Sequence, residues 1–166
     1  MRNDSQLKRL VIIGLFIAME IILTRFCSIS TPIVRIGFGF LPVAMLSILY
    51  GPIWAGIAYA LGDILGMMIF PSGPYFPGFT LTAFLTGITF GLLLYKKPIT
   101  WKRAFIAAFI VCGVWNLLLD TYWIYILTGK GIIALLPARL IKVAFAIPTQ
   151  TILIPLVWNK CLKKIK

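Results

Sequence analysis

Long apolar runs alternate with short breaks rich in polar residues, proline or glycine over most of the chain. The first run follows Lys8 and Arg9 and reaches Cys27, about 20 residues, the length at which an α-helix crosses ~30 Å of hydrocarbon. Five further runs, one of them short, cover residues 40–50, 53–70, 79–95, 104–128 and 138–159. We therefore predict an all-α membrane protein, a compact bundle of six transmembrane helices forming one domain over residues 1–166.

The breaks between the runs differ in character. Residues 28–39 form a connector that carries Arg35, and residues 132–137 read as an apolar loop or a short interfacial piece. Residues 70–82 read Phe-Pro-Ser-Gly-Pro-Tyr-Phe-Pro-Gly-Phe-Thr-Leu-Thr. Three prolines and two glycines predict a rigid loop rather than a helix. Its aromatic side chains are too apolar for a solvated turn, so we expect this loop to close over a flat organic ligand at the mouth of the bundle.

The composition agrees with a membrane protein. Hydrophobic residues make up 61% of the chain and charged residues 12%, with a mean hydropathy of +1.02, whereas soluble domains are about half apolar and a quarter charged. The formal charge of +12 does not indicate nucleic acid, because the basic residues cluster at the ends of the apolar runs. The chain has no histidine and its three cysteines are far apart, so we expect no metal and no other cofactor.

The basic clusters predict the topology. With six spans, three clusters fall on one face, and the positive-inside rule makes that face cytoplasmic. They are the leader, the turn at 96–103 and the tail, with Arg2, Lys8, Arg9, Lys96, Lys97, Lys102, Arg103, Lys160, Lys163, Lys164 and Lys166. We therefore expect both termini in the cytoplasm and the chain in a cell membrane that it crosses several times.

Three pairs of small residues are spaced for close helix contact. They are Gly14-x-x-x-Ala18, Gly62-x-x-x-Gly66 (preceded by Ala58) and Gly87-x-x-x-Gly91. Small residues at this spacing let helix backbones approach each other, although such ridges are common in any tight bundle.

Three acids lie within the predicted spans: Glu20, Asp63 and Asp120. Ionisable groups inside a membrane are energetically expensive and mark candidate sites. In the six-span arrangement each acid lies seven or eight residues from the outer helix end, roughly 10–12 Å deep. The cations that belong at or just above that depth are Arg25, Arg35, Arg139 and Lys142. A purely structural alternative is that Asp63 or Asp120 pairs with one of the last two, and Glu20 fits a structural or partner-facing role.

This combination of groups favours a particular ligand chemistry. A buried carboxylate accepts two hydrogen bonds from adjacent N–H groups of a planar heterocycle, on which aromatic rings stack. Arginine and lysine at the rim suit anionic groups at the ligand's other end. A vitamin with a fused ring and a carboxylate tail meets all three demands.

Several segments carry a family resemblance. They are Arg35-Ile-Gly-Phe-Gly-Phe-Leu-Pro42, Leu49-Tyr-Gly-Pro52, Ala60-Leu-Gly-Asp-Ile-Leu-Gly66, the loop at 70–82, and Leu135-Leu-Pro-Ala-Arg-Leu-Ile-Lys142. In these segments the chain resembles the substrate-binding S components of energy-coupling factor (ECF) vitamin transporters, of the folate-specific type. The resemblance covers nearly the whole chain, and the segments at 70–82 and 135–142 are its specific part.

The resemblance implies a six-helix fold with a vitamin pocket near the outer face, and folate as the ligand. It also implies a membrane coupling subunit (the T component) and two ABC ATPases as partners, and uptake by toppling of the loaded S component in the lipid bilayer. Gly14 and Ala18 stand where the family has its small-residue docking face on the first helix. The chain lacks a nucleotide-binding Gly-x-x-x-x-Gly-Lys motif, so ATP hydrolysis belongs to the partners and we expect no enzymatic activity.

Residue roles follow as hypotheses. Asp63 or Asp120 faces the heterocycle with Asn116 nearby, under a lid at residues 70–78. The groups expected to handle carboxylates or ring oxygens are Arg25, Arg35, Arg139 and Lys142. The expected stacking walls are Tyr75, Phe76, Phe79 and Trp123, although Trp123 also fits an interfacial aromatic belt.

Three other functions fit the sequence less well. An S component for thiamin, riboflavin or a queuosine precursor is the first alternative, and the cationic rim argues for a more anionic ligand. A small structural membrane protein is the second, and it would need no polar pocket. A membrane enzyme is disfavoured because the chain has no histidine and no Gly-x-Ser-x-Gly motif.

Overall fold

Six helical rods and one short hairpin make up the computed structural model, which describes residues 2–30, 35–71, 73–129 and 131–162. The rods are α1 (Arg2–Arg25), α2 (Phe40–Tyr50), α3 (Pro52–Ile69), α4 (Pro77–Leu94), α5 (Trp101–Thr128) and α6 (Ile132–Val157). Strands β1 (Ser28–Ser30) and β2 (Arg35–Gly37) pair antiparallel, with Ser28 opposite Gly37. The connector predicted between the first two helices therefore contains a small hairpin.

Two predicted boundaries were wrong. Helix α6 begins at Ile132, so residues 132–137 are helical and not a loop. Pro137 removes only one hydrogen bond near the helix start, and burial of Leu135 stabilises this turn. Helix α4 begins at Pro77, where proline lacks only a donor that the first turn does not need. The predicted rigid loop is therefore shorter and covers residues 70–76.

Four helices of the described residues are long and apolar enough to cross a membrane: Pro52–Ile69, Pro77–Leu94, Trp101–Thr128 and Ile132–Lys160. Helix α2 is apolar but has 11 residues, which rise about 16 Å and cannot cross ~30 Å of hydrocarbon alone. Eight of its side chains are buried, so its apolar character serves packing inside the protein rather than exposure to lipid.

The packed core and the hollow part of the bundle lie at opposite ends. The core cluster joins α2, α4, α5 and α6 through buried side chains such as Phe90, Leu94, Ala104 and Ile154. These residues come from the end of α4, the start of α5 and the end of α6, away from the loop at 70–76. The other half of the bundle is thereby left to house a cavity.

The two glycine ridges in the middle of the chain serve different contacts. A Cβ atom at Gly87 would lie 2.6 Å from the Ala55 carbonyl oxygen, and one at Gly91 would lie 2.2 Å from Pro52 Cα. This ridge lets the backbones of α3 and α4 approach closely, as predicted. A Cβ atom at Gly62 would instead lie 2.3 Å from the Glu20 carboxylate, so the ridge on α3 makes room for polar side chains of α1.

Helix α5 contains a π-helical segment, Ile110–Leu119. The Asp120 amide bonds the Trp115 carbonyl, five residues back. Long π-helical segments are rare and are frequently found at functional sites. Cys112 and Asn116 in this segment face the cavity described below.

Candidate ligand-binding site

A cavity of about 680 Å³ lies beneath the loop at 70–76, within the range of small-molecule sites. Side chains from all six helices and from the loop contribute to its walls. Phe40 and Val111 belong both to its lining and to the packed core cluster. These two residues therefore lie at the boundary between the packed half of the bundle and the cavity.

All three intramembrane acids line this cavity. The Glu20 Oε1 atom accepts a hydrogen bond of 2.8 Å from Thr24 Oγ1, and Asp63 Oδ2 accepts one of 2.8 Å from Thr80 Oγ1. Asp120 lies within electrostatic range of the two lining cations, Arg139 and Lys142. The sequence predicted the three acids at one depth. In the structure all three carboxylates line the same cavity, and each has different neighbouring groups.

Asn116 connects the two cations to α5. Arg139 Nη1 donates a hydrogen bond of 2.8 Å to the main-chain carbonyl of Asn116, and Lys142 Nζ lies 3.4 Å from its Oδ1 atom. The Asn116 Nδ2 group donates to the Val111 carbonyl at 3.0 Å. Asn116 therefore contacts Arg139 through its main-chain carbonyl and Lys142 through its side chain, while it also lines the cavity.

Aromatic rings cover the loop end of the cavity. Tyr75, Phe76 and Phe79 line it, and the rings of Phe76 and Phe79 meet edge to face at 6.2 Å. Trp123 packs behind Phe76 at 5.5 Å and donates through Nε1 to Thr82 Oγ1 at 3.2 Å. Trp123 therefore supports the wall without being part of the lining.

The loop is fastened to the bundle by a short chain of hydroxyl groups. The Tyr75 hydroxyl lies 3.1 Å from Thr80 Oγ1, which in turn donates to Asp63 on α3. We call Tyr75, Thr80 and Asp63 the loop latch. It links a loop residue that lines the cavity to an intramembrane carboxylate.

Eight predicted ligand-binding residues come together in the lining: Asp63, Tyr75, Phe76, Phe79, Asn116, Asp120, Arg139 and Lys142. Trp123 and Arg25 are not among the described lining residues; the Arg25 guanidinium lies against Gly66 of α3. The Arg35 side chain lies outside the described part of the structure, although its backbone forms β2.

The predicted docking residues lie apart from the cavity. Gly14 and Ala18 are not among its described lining residues, and a Cβ atom at Gly14 would meet no described atom within 4 Å. Exposed apolar neighbours surround them: Leu7, Leu10, Val11, Leu15, Met19 and Ile22. We call these residues, with Gly14 and Ala18, the α1 face.

Sequence reasoning missed several polar lining residues: Thr24, Thr82, Thr86, Cys112, Thr149 and Gln150. Hydroxyl groups in membrane helices usually bond their own backbone, as Thr149 does with the Phe145 carbonyl, so they give no signal in a sequence. Gln150 was detectable, because a glutamine within an apolar run needs a polar partner.

The fold and the cavity agree with the comparisons with known proteins. The family model for the substrate-specific component of ECF transporters matches residues 8–158. The chain therefore belongs to the S components of ECF transporters, which confirms the resemblance seen in its motifs.

The comparisons also identify individual proteins that are similar to this chain. The chain is 47% identical to the folate transporter FolT of Clostridium novyi, over 90% of this chain and 87% of that protein. It is 26% identical to the folate transporter FolT of Leuconostoc mesenteroides, over 86% and 80%. Its structure is similar to a crystal structure of FolT bound with folic acid, with a TM-score of 0.88, 37% identity, and coverage of 92% of this chain and 93% of that one.

Proposed function

We propose that this protein is the folate-binding S component of an ECF-type importer in a bacterial plasma membrane. The observation that carries the proposal is the likeness, at a TM-score of 0.88 and 37% identity, to FolT bound with folic acid. The 47% identity to a second folate transporter supports the same ligand. The cavity of about 680 Å³, with cations and aromatic rings in its lining, suits a ligand of this size and charge.

In the proposed complex the two lining cations bind carboxylate groups of the ligand. Lys142 is half-buried, lines the cavity and lies 3.4 Å from Asn116 Oδ1, so its ammonium group is close to the ligand space. Arg139 is buried and already bonds a main-chain carbonyl, so it adds positive charge from a fixed position. Arg25 and Arg35 are proposed to add positive charge at the mouth.

The acids and rings bind the rest of the ligand. Asp63 and Asp120 both line the cavity, and each receives a threonine hydroxyl, from Thr80 and Thr82 respectively. Either carboxylate is proposed to accept hydrogen bonds from ligand N–H groups. Tyr75, Phe76 and Phe79 pack on the ligand rings, with Trp123 behind them. The loop at 70–76, with the first turn of α4, acts as the lid.

The transport cycle is proposed from the family. One integral membrane domain of six helices, with cytoplasmic termini, docks through the α1 face on a T component that two ABC ATPases drive, and the loaded protein topples to release folate inward. The small residues and apolar exposure of this face suit close contact with another membrane helix. The clustering of basic residues in the leader, the turn at 96–103 and the tail supports the orientation.

Ligand identity is the direct test. The protein purified in detergent should release folate on denaturation, identified by mass spectrometry. Titration calorimetry should detect folic acid binding and no comparable binding of thiamin or riboflavin. Tight binding of another vitamin, with none of folic acid, would replace the proposed ligand, and absence of binding by the whole panel would favour a structural role.

A further inference from the structure

A cation lies between two aromatic rings at the end of the bundle away from the loop at 70–76. The Arg9 guanidinium carbon on α1 lies 5.7 Å from the ring centroid of Tyr50, at the end of α2. It lies at the same distance, 5.7 Å, from the ring of Trp54, near the start of α3. Cations this close to ring centroids are attracted to the ring faces. Arg9, Tyr50 and Trp54 therefore form one cluster across three helices, which we call the arginine–aromatic cluster.

The positive charge of this cluster suits an anion from outside the chain. The side chains of Arg9 and of its neighbour Lys8 are exposed. Ring faces attract a guanidinium group without neutralising it, and its planar N–H donors match phosphate oxygens. The chain has only four acids, and three of them line the cavity, which leaves Asp4 as the remaining one. Negative partners for the many cations at this end of the protein must therefore come largely from its surroundings.

Exposed apolar side chains continue from the cluster along α3. Ile57 and Leu61 are exposed by 41% and 44%, and they share one helix face because they are four residues apart. They lie about 4.5 and 10.5 Å beyond Trp54 along the helix axis. Helix α3 is long and apolar enough to cross a membrane, and tryptophan and tyrosine concentrate where hydrocarbon meets the polar headgroups. A cation at headgroup level with an apolar strip on one side has the layout of a phospholipid.

The arginine–aromatic cluster is distinct from the α1 face. Arg9 and Ala18 are nine residues apart, about 2.5 helical turns, so they lie on opposite sides of α1. Ile13, one turn after Arg9, is buried in a cluster with Leu46 of α2 and Ala58 of α3. Arg9 therefore lies where α1 packs on α2 and α3, away from the surface proposed to dock on the T component.

We propose that the arginine–aromatic cluster binds the headgroup phosphate of one anionic phospholipid, with Lys8 as a second cation and an acyl chain along Ile57 and Leu61. The proposed orientation of the protein puts this lipid in the cytoplasmic leaflet, where anionic lipids attract basic residues. A zwitterionic phospholipid carries its own cation beside the phosphate, so it binds more weakly. The site does not depend on the identity of the ligand in the cavity.

Lipid titration of the detergent-purified protein, followed by native mass spectrometry, tests the site. The two lipids are phosphatidylglycerol and phosphatidylcholine with identical acyl chains. The unsubstituted protein should bind one phosphatidylglycerol about tenfold more tightly than phosphatidylcholine, and Arg9→Gln should reduce this preference to about twofold or less. Trp54→Leu should reduce it by a smaller factor. Lys102→Gln, which removes an exposed cation at the same end of the bundle, is the matched control and should keep the full preference.

Folic acid binding shows whether the variants are folded. Arg9 is outside the described lining of the cavity, so Arg9→Gln should bind folic acid as the unsubstituted protein does. If Arg9→Gln does not fold, Arg9→Lys takes its place. This variant keeps the charge, loses the planar guanidinium, and should bind phosphatidylglycerol about threefold more weakly. An unsubstituted protein that binds phosphatidylglycerol but not folic acid contradicts the proposed function and leaves the lipid site intact.

Four results would overturn the lipid site. The first is an unsubstituted protein without preference for phosphatidylglycerol. The second is an equal loss in Arg9→Gln and Lys102→Gln, which would indicate attraction to net charge rather than to this cluster. The third is displacement of the lipid by equimolar glycerol 3-phosphate, which would indicate a site for a soluble phosphate compound. The fourth is an Arg9→Gln protein that keeps its lipid preference but fails to assemble with the T component, which would indicate a protein-docking surface.

Discussion

Arg139 Nη1 donates a hydrogen bond of 2.8 Å to the main-chain carbonyl of Asn116, and so ties α6 to the π-helical segment of α5. A guanidinium bonded to a carbonyl keeps its full positive charge, since the carbonyl is a dipole and not an anion. Asp120 is the carboxylate whose charge acts on it. The arrangement holds a buried guanidinium group beside the cavity, close to the Asp120 carboxylate.

Arg139→Ala should weaken folic acid binding at least tenfold. Truncation of one partner of a buried, hydrogen-bonded charge pair costs about 2–5 kcal/mol. Titration calorimetry on the purified protein measures the effect. Lys102→Ala, an exposed cation outside the described cavity lining, is the control and should bind as the unsubstituted protein does. Unchanged affinity in Arg139→Ala would refute the assigned role.

Asn116→Asp should weaken binding selectively for ligands with a carboxylate tail. The new carboxylate would lie at the position of Oδ1, 3.4 Å from Lys142 Nζ, and would neutralise that cation. The affinity for folic acid should fall about tenfold or more, whereas the affinity for a pterin without the tail should change little. Asn116→Leu, which removes the positioning contact without adding charge, should affect folic acid less. Equal losses for both ligands in Asn116→Asp would indicate a general packing defect instead.

The sequence predicted much of this arrangement because membrane insertion is so restrictive. Apolar length alone located the long helices, and the high energy of ionisable groups in lipid singled out Asp63, Asp120 and Arg139 as candidate site residues. The start of α6 was missed because Pro137 reads as a helix breaker, while tertiary burial of Leu135 decides the local conformation.

Other features depend on contacts that no single segment encodes. The ridge Gly62-x-x-x-Gly66 has the spacing of close helix packing, yet in the structure the side chains of Glu20 and Arg25 of α1 lie against these two glycines. Asn116 has the chemistry of a ligand contact, and only the structure shows that it also contacts Arg139 and Lys142. Spacing identifies which residues share a face, but it does not identify the partner that the face meets.

Thr80→Val should weaken the attachment of the loop at 70–76 to the bundle. The substitution keeps the side-chain shape and removes the hydroxyl that joins Tyr75 to Asp63. A hydrogen bond to a charged group contributes about 1.5–3 kcal/mol, so folate should dissociate about tenfold faster or more. Stopped-flow measurement of tryptophan fluorescence can follow this, because Trp123 packs against Phe76 of the loop.

Two further variants define the latch. Tyr75→Phe should give a smaller acceleration in the same direction, since it removes only the outer contact of 3.1 Å. Tyr125→Phe should dissociate at the unsubstituted rate, because Tyr125 is exposed and is not among the described lining residues. A Thr80→Val protein with an unaltered dissociation rate would mean that the loop is held by its aromatic packing alone.

The loss of stability caused by a Gly→Ala substitution should depend on the atoms that the new methyl group contacts. Gly87→Ala and Gly91→Ala bring it within 2.2–2.7 Å of backbone atoms of α3, which cannot move aside. They should destabilise the protein by about 1–3 kcal/mol or more. At Gly62 the new methyl group contacts the flexible Glu20 carboxylate, so Gly62→Ala should lower the stability by less. Gly113→Ala meets no described atom within 4 Å and is the control. Thermal unfolding in detergent measures the ranking, and equal midpoints for Gly91→Ala and Gly113→Ala would contradict it.

Substitution of the α1 face should separate transport from binding. Gly14→Leu combined with Ala18→Leu adds bulk at two positions of α1 that lie away from the cavity. Because small residues allow close helix approach, the double variant should bind folic acid normally and fail in uptake by vesicles that contain the T component and both ATPases. Ala134→Leu, an exposed alanine at the start of α6, is the matched control and should transport normally. Uptake at the unsubstituted rate by the double variant would show that the partner docks on another surface.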